Sequence, residues 1–246
     1  VRKRSMVESV LTDQDGARAV RLSTGETVEA KVFVSNISPY ALHRQLIDGP
    51  TRKGVWLRRL NALRPSVSSL AVYCGLNKDI RDLFEHNIHF WFAHDNYEQV
   101  YRNMVDGKVD AEDHLILLKP TAEETPTLTL LRFAERGAEE NWKEAKERHA
   151  RSMLAQAEKL FPGVREAVAL TEVGSPTTFE RYTLNTDGAL YGFENTCDMY
   201  GEAKLPIKTY LKNLYQTGHW GRPGGGVWNV MSNAYTTSKL ILGDIG

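Results

Sequence analysis

N-L-Y-Q-T-G-H-W-G-R-P-G-G-G-V-W-N-V-M-S-N-A-Y-T-T-S-K-L-I-L-G, Asn213 to Gly243, is the stretch on which the reading of this chain turns. Its middle, Gly218 to Val227, holds five glycines and a proline in ten residues. Such a backbone can take up positive φ and come close to a ligand without interference from Cβ atoms. Beyond it Val227, Val230, Met231, Ala234, Ser238, Ile241 and Leu242 recur at steps of three and four, which predicts a helix with a narrow apolar face. Gly243 stands where a glycine would end that helix. Its first amides lack acceptors of their own and carry the positive end of the dipole, so a partial negative charge is favoured there. On spacing alone, a plain loop with a helix cap is as good a reading as a ligand site.

The composition is that of an ordinary globular protein. The 246 residues carry 31 basic and 31 acidic side chains, which argues against a nucleic-acid surface and gives no electrostatic reason for membrane attraction. Two cysteines, Cys74 and Cys197, are too few for a disulfide framework and suit a reducing, cytoplasmic compartment. Cys74 lies in an apolar run and is expected in the core. No apolar run approaches the ~20 residues that span a bilayer, and the first ten residues lack a signal-peptide core. A peripheral membrane contact through a short apolar patch stays open.

The first 37 residues read as β structure. Val7 to Leu11, Ala19 to Leu22 and Thr27 to Val34 are β-branched runs separated by the turn sequences Asp13-Gln14-Asp15-Gly16 and Ser23-Thr24-Gly25-Glu26. Pro39 to Leu63 reads as broken helix, and Ser66 to Leu76 as a strand ending at Gly75. In H-N-I-H-F-W-F-A-H, the histidines His86, His89 and His94 match no zinc spacing and have no cysteine nearby, so no metal is expected. Phe90, Trp91 and Phe92 in succession put rings on both faces of a strand, which suits a sheet covered on both sides. Core packing is the simpler expectation for them, and the lining of an apolar tunnel the sharper one.

His114 to Lys119 and Thr127 to Phe133 read as strands joined by the loop Pro120 to Pro126. From Glu139 to Phe161 the period becomes helical, with Trp142, Lys146, His149, Met153, Ala157 and Leu160 on one stripe and Pro162-Gly163 as the stop. Val164 to Glu172 passes from helix to strand. S-P-T-T-F-E-R-Y-T-L-N-T-D-G-A-L-Y-G, from Ser175, reads as a loop in isolation, with Pro176 keeping Ser175 out of helix.

Three of these segments carry a resemblance. G-H-W-x-x-P-G-G-G-V preceded by N-L-Y resembles the C-terminal signature of the phytoene desaturase, carotenoid isomerase and retinol saturase group of flavoprotein oxidoreductases, within the flavin amine oxidase superfamily. D-G-x-x-A-V-R-L-x-x-G-E-x-x-x-A-K-V-F-V-S-N resembles the hairpin with which that group leaves its dinucleotide domain and returns at V-S-N. S-P-T-T-F-E-R-Y-T with the later G-A-L-Y-G resembles the group's T-P-x-T-x-x-R-Y-T and G-x-x-Y-G.

The resemblance implies an α/β (α+β) fold: a mixed-sheet substrate domain with helices, plus the C-terminal return segment of a Rossmann-type FAD domain whose dinucleotide-binding part is missing. The implied division is residues 1–37 as the returning meander, 38–204 as the substrate domain and 205–246 as the FAD-contacting loop and helix. FAD is the implied cofactor, with NAD(P) admitted as a second. Its contacts would be Ser35, Asn36, Gly218, His219, Trp220, Gly225, Gly226 and Val227, and the apolar substrate would meet Phe90, Trp91, Phe92, Tyr182 and Tyr191. Positioning for hydride transfer needs no acid-base pair, and none stands out.

Two departures matter. No G-x-G-x-x-G occurs, so the group's phosphate-binding turn is absent. The chain is therefore expected to be the C-terminal half of a longer enzyme, or one subunit of a split one, inactive alone and unable to hold FAD tightly. Trp228, Asn229 and Asn233 stand where the group has Pro, Gly and Gly, so the Trp228 ring must turn away from a flavin or stack beside it. Three readings remain: an oxidoreductase of desaturase, saturase or isomerase type on an isoprenoid or polyene-like substrate, an amine- or protoporphyrinogen-oxidase-like enzyme, and a substrate-binding subunit without catalysis.

Overall fold

The computed structural model describes residues 1–47, 54–120 and 126–245. The chain folds as two compact units, Val1–Ser66 with Leu184–Gly246, and Val67–Thr183.

The first unit opens with the antiparallel meander β1 (Val7–Thr12), β2 (Ala17–Leu22) and β3 (Thr27–Glu29). Its first turn closes on Asp13, whose Oδ1 accepts the Asp15 amide at 2.8 Å and the Gly16 amide at 3.2 Å. The expected strand Thr27 to Val34 divides in two. After Glu29 the chain leaves the meander, and β4 (Phe33–Ser35) pairs in parallel with a strand from the far end of the sequence. Asn213 forces the division: it accepts the Ala17 amide at 2.9 Å, donates to Ala17 O at 2.7 Å and Lys31 O at 3.0 Å, and its own carbonyl takes the Phe33 amide at 2.8 Å. A local run of β-branched residues carries no trace of a partner about 180 positions away. The helical turn α1 (Pro39–Ala41) widens into Leu42–Leu46, and α2 (Gly54–Ala62) follows. The break expected between them lies outside the described residues.

The second unit is a five-stranded antiparallel sheet in the order β6-β7-β8-β5-β9. Its strands and helices, in chain order, are β5 (Ser68–Leu76), β6 (Ile88–Phe92), α3 (Tyr97–Val105), β7 (His114–Leu118), β8 (Thr127–Ala134), α4 (Trp142–Leu160), α5 (Val164–Ala167), β9 (Val168–Gly174) and α6 (Pro176–Thr183). Most of the expected Pro120 to Pro126 connection, residues 121–125, lies outside the described residues. Helix α4 starts at Asn141, whose side chain accepts the Lys143 amide, and buries Trp142, His149, Met153 and Ala157 as its stripe predicts. Trp142, Met153 and Ala157 pack with Leu70, Val72, Cys74, Leu115, Leu117, Leu128 and Leu130 to form the core of the unit.

Two expectations change here. The segment from Pro176 is helix and not loop, because proline at the first helical position needs no acceptor for its nitrogen and the Phe179 amide closes on Ser175 O at 3.0 Å. The aromatic strand is covered on one side only. Trp91 packs against the core, whereas Ile88, Phe90 and Phe92 on the other face are exposed, Phe90 to 62%. Helix α3, on which the sequence reading was silent, follows β6; the Tyr97 ring meets Phe92 edge-on at 5.1 Å.

The chain then returns to the first unit. Strand β10 (Leu214–Gln216) lies parallel to β4, with Leu214 opposite Phe33 and Gln216 opposite Ser35, and α7 (Val227–Ile245) ends the described residues. Gly243 does not stop this helix, which runs two residues further with open space around the glycine. Nor does its apolar face point inward. Only Asn233 and Thr237 are buried, while Val227, Trp228, Met231, Tyr235, Leu242 and Ile245 are exposed. Asn233 wins the inward position through hydrogen bonds that no apolar residue could make.

Candidate functional site

Strands β4 and β10 end side by side, and the chain leaves both at their carboxyl ends, where parallel α/β sheets hold ligands. The Thr217 amide donates to Ser35 O at 2.8 Å, which brings Gly218 against Asn36. Gly218 has φ +84°, and a Cβ there would fall 1.7 Å from Asn36 Oδ1. Glycine is the residue that fits. The loop beyond is held from within by Asn233, whose Oδ1 accepts the Gly218 amide at 2.9 Å and Thr217 Oγ1 at 2.8 Å, while its Nδ2 donates to Arg222 O at 2.7 Å. A cis peptide joins Arg222 to Pro223.

The three glycines differ in what they face. A Cβ on Gly224 would meet Lys204 Nζ at 2.7 Å, and one on Gly225 would meet the Tyr191 backbone at 2.7 Å, so both are packed against the protein. Gly226, at φ +100°, has only Asn229 Nδ2 near its vacant Cβ position, at 3.9 Å. It is exposed, and so are Val227 and Trp228 after it. Among the described residues no acceptor holds the amides of Gly226, Val227 or Trp228. Unpaired donors at the positive end of a 19-residue helix suit an acceptor-rich or anionic ligand edge. The Trp228 ring is 80% exposed.

Ser35, Asn36 and Gly218 meet where β4 and β10 end, and Gly225, Gly226 and Val227 follow in the loop and helix that Asn233 ties to Gly218. Ser35 Oγ is buried there without a partner. His219 is half-buried, and burial lowers its pKa. Trp220 lies elsewhere: it is wholly buried, with Nε1 donating to Asn185 Oδ1 at 3.0 Å and its ring edge-on to Phe193 at 5.0 Å. Tyr191 touches the loop through its backbone and leaves its ring partly exposed. Phe90, Phe92 and Tyr182 are exposed on the second unit, and Trp91 is turned into that unit's core.

One pair in the second unit has the composition of an acid-base dyad without its chemistry. His114 Nε2 accepts the Phe133 amide at 2.9 Å, which leaves Nδ1 to donate to Asp113 at 2.8 Å. Both ring nitrogens are spent inside the fold, and burial lowers the pKa of the imidazole, so the pair braces β7 against β8. Sequence reasoning also missed Lys204, whose segment G-E-A-K-L-P carries no motif.

No family model matches the chain. Curated relatives do. Phytoene desaturase (lycopene-forming) from Paracoccus sp. is 26% identical over 248 residues, covering 95% of this chain and 49% of the relative. Prolycopene isomerase of Daucus carota is 25% identical over 259 residues, covering 100% of this chain and 41% of the relative. The chain is similar to carotenoid desaturases and isomerases. This carotenoid-desaturase-like chain spans about half the length of the curated relatives it matches. Its fold is also that of roughly half of a solved putrescine oxidase variant, with a TM-score of 0.60 at 12% identity over 98% of this chain and 48% of that one. At that identity the likeness shows shared architecture.

Proposed function

We propose that this chain is the substrate unit and flavin-facing loop of a flavin-dependent oxidoreductase, of desaturase, saturase or isomerase type, acting on an apolar isoprenoid or polyene-like substrate. The observation that carries the flavin assignment is Gly226, whose vacant Cβ position opens outward beside the unpaired amides that start α7. Those donors would suit the acceptor-bearing edge of an isoalloxazine, and no Trp228 atom lies within 4 Å of the vacant Gly226 Cβ position. When bound, the flavin supplies hydride transfer to or from an allylic carbon. What these residues contribute is orientation and donors, while Ile88, Phe90 and Phe92 offer an apolar surface to the substrate.

The fit is partial, because the sequence holds no phosphate-binding glycine turn. A dinucleotide-binding α/β unit, on the same polypeptide or another, completes the site. Supporting this is the inverted amphipathicity of α7, which buries Asn233 and Thr237 and exposes Trp228, Met231, Tyr235, Leu242 and Ile245 along one seam. The parallel pair β4-β10 supports it too, since parallel strands occur in larger sheets covered on both faces. No helix among the described residues is long and apolar enough to cross a membrane.

The test is Gly226→Val in the protein assembled with its dinucleotide-binding unit. Loss of a donor worth ~1 to 3 kcal/mol to a charged acceptor lowers the two-electron flavin potential by roughly 20 to 65 mV and lowers flavin occupancy. An unchanged potential and occupancy would reduce the loop to a helix cap.

A further inference from the structure

Lys204 is wholly buried, yet it lies next to the most ligand-like part of the chain. Its Nζ donates to Asn195 Oδ1 and, at 3.3 Å, to Pro223 O, and it sits 2.7 Å from where a Gly224 Cβ would be. The two acceptors are neutral. Among the described residues no carboxylate forms an ion pair with this ammonium; the nearest acid in sequence, Glu202, is paired with Arg222 at 2.6 Å and is exposed. Two further cations converge on the same segment, since Arg59 and Arg222 both donate to Lys204 O, at 2.9 and 2.8 Å.

An ammonium buried among neutral dipoles costs several kcal/mol unless something negative offsets it. Its hydrogen bonds to Asn195 and Pro223 satisfy donors of the ammonium, but both partners are neutral and leave the charge itself without a counterpart. Burial lowers the pKa of this lysine and no neighbouring acid restores it. The positive end of α7 adds to the same field. The ammonium and the start of α7 therefore place a positive field at the glycine loop, and the nearest acid in sequence, Glu202, pairs with Arg222 and not with the lysine.

We propose that Lys204 is a positioning residue of the glycine loop whose fixed positive charge favours the anionic, reduced state of the flavin over the oxidised one. This rests on the flavin reading of the loop. The ammonium acts from behind the backbone: it holds Pro223 O, so that the Gly224–Gly226 turn keeps its amides outward, and its field reaches the ligand through a low-dielectric wall.

Lys204→Gln keeps a donor for Pro223 O and removes the charge, Lys204→Arg keeps the charge, and Lys204→Met removes both. In the flavin-loaded assembly, reduced flavin binds about tenfold more weakly relative to oxidised flavin in the Gln and Met variants, a fall of about 30 mV in the two-electron potential. The Arg variant holds the wild-type potential. A potential unmoved in the Gln and Met variants, or moved equally in the Arg variant, would overturn the electrostatic role and leave a structural clamp. Wild-type assembly that takes up no flavin would instead overturn the flavin reading, and this inference with it.

Discussion

Asn233 holds Gly218 from within: the asparagine on the second turn of α7 accepts the Gly218 amide at 2.9 Å across 15 positions of sequence. The same side chain donates to Arg222 O at 2.7 Å and comes within 2.6 Å of where a Gly221 Cβ would lie. One residue thus fixes the start and the middle of the loop that precedes the helix.

Asn233→Ala therefore removes the partners of the Gly218 amide and the Arg222 carbonyl and the acceptor of the Thr217 hydroxyl. At roughly 1 kcal/mol for each lost hydrogen bond, the variant loses about 2 to 3 kcal/mol of stability, read from urea unfolding. Asn233→Asp keeps the acceptor but not the donor and adds a buried charge, so it is expected to be no better. Wild-type stability in the alanine variant would show that the loop does not depend on this side chain.

His43 makes stability fall in mild acid. Its ring is buried between Trp56 and Tyr210, with centroids 5.3 and 5.5 Å away, and neither ring nitrogen has a hydrogen-bond partner. Burial pushes its pKa down from 6.5 to about 4. The unfolded chain takes up the proton first as pH falls, so this contribution is intact above 6.5 and is lost between 6.5 and 4. The loss reaches about 3 kcal/mol. His43→Phe removes it, and the difference in unfolding free energy between pH 7 and pH 4 shrinks by about that amount relative to wild type. Equal pH dependence in the two proteins would show that His43 does not carry the effect.

Phe90 and Trp91 are neighbours in sequence on opposite faces of β6. Trp91→Ala opens the core around α4 and costs about 3 kcal/mol of stability, whereas Phe90→Ala stays within about 0.5 kcal/mol of wild type. Affinity for a long apolar polyene, followed by quenching of tryptophan emission, should show the reverse order: Phe90→Ala weakens it several-fold. A polyene that binds Phe90→Ala as tightly as wild type would remove this face from the substrate surface.

Met231 lies mid-way along the exposed seam of α7 and is 62% exposed. Met231→Glu is expected to leave the stability of the chain within about 0.5 kcal/mol and to weaken association with a dinucleotide-binding unit at least tenfold. Sedimentation of the mixed components measures this directly. Trp228 on the same seam adds a second signal, a blue shift of its emission when the seam is covered. Association unaffected by the glutamate would place the interface elsewhere.

The sequence by itself determined what depends on near neighbours. Turn residues at Asp13-Gly16, the stripe of α4, the strand at Ser68–Leu76 and the glycine loop before α7 are set by backbone freedom and by periodicity over a few residues, and all were legible. Three motifs in order also pointed to the group of relatives. Tertiary structure decided what depends on partners remote in sequence. Only the parallel pairing with β10 split Thr27 to Val34, only the bonds from Thr217, Gly218 and Arg222 turned Asn233 inward and the apolar seam of α7 outward, and only packing against Phe193 took Trp220 out of the loop's open side. Hydrophobic periodicity states which residues prefer to leave water. It does not state what will cover them, and for α7 the buried side went to an asparagine because three hydrogen bonds to fixed backbone and hydroxyl groups outweigh the burial of a thin apolar stripe.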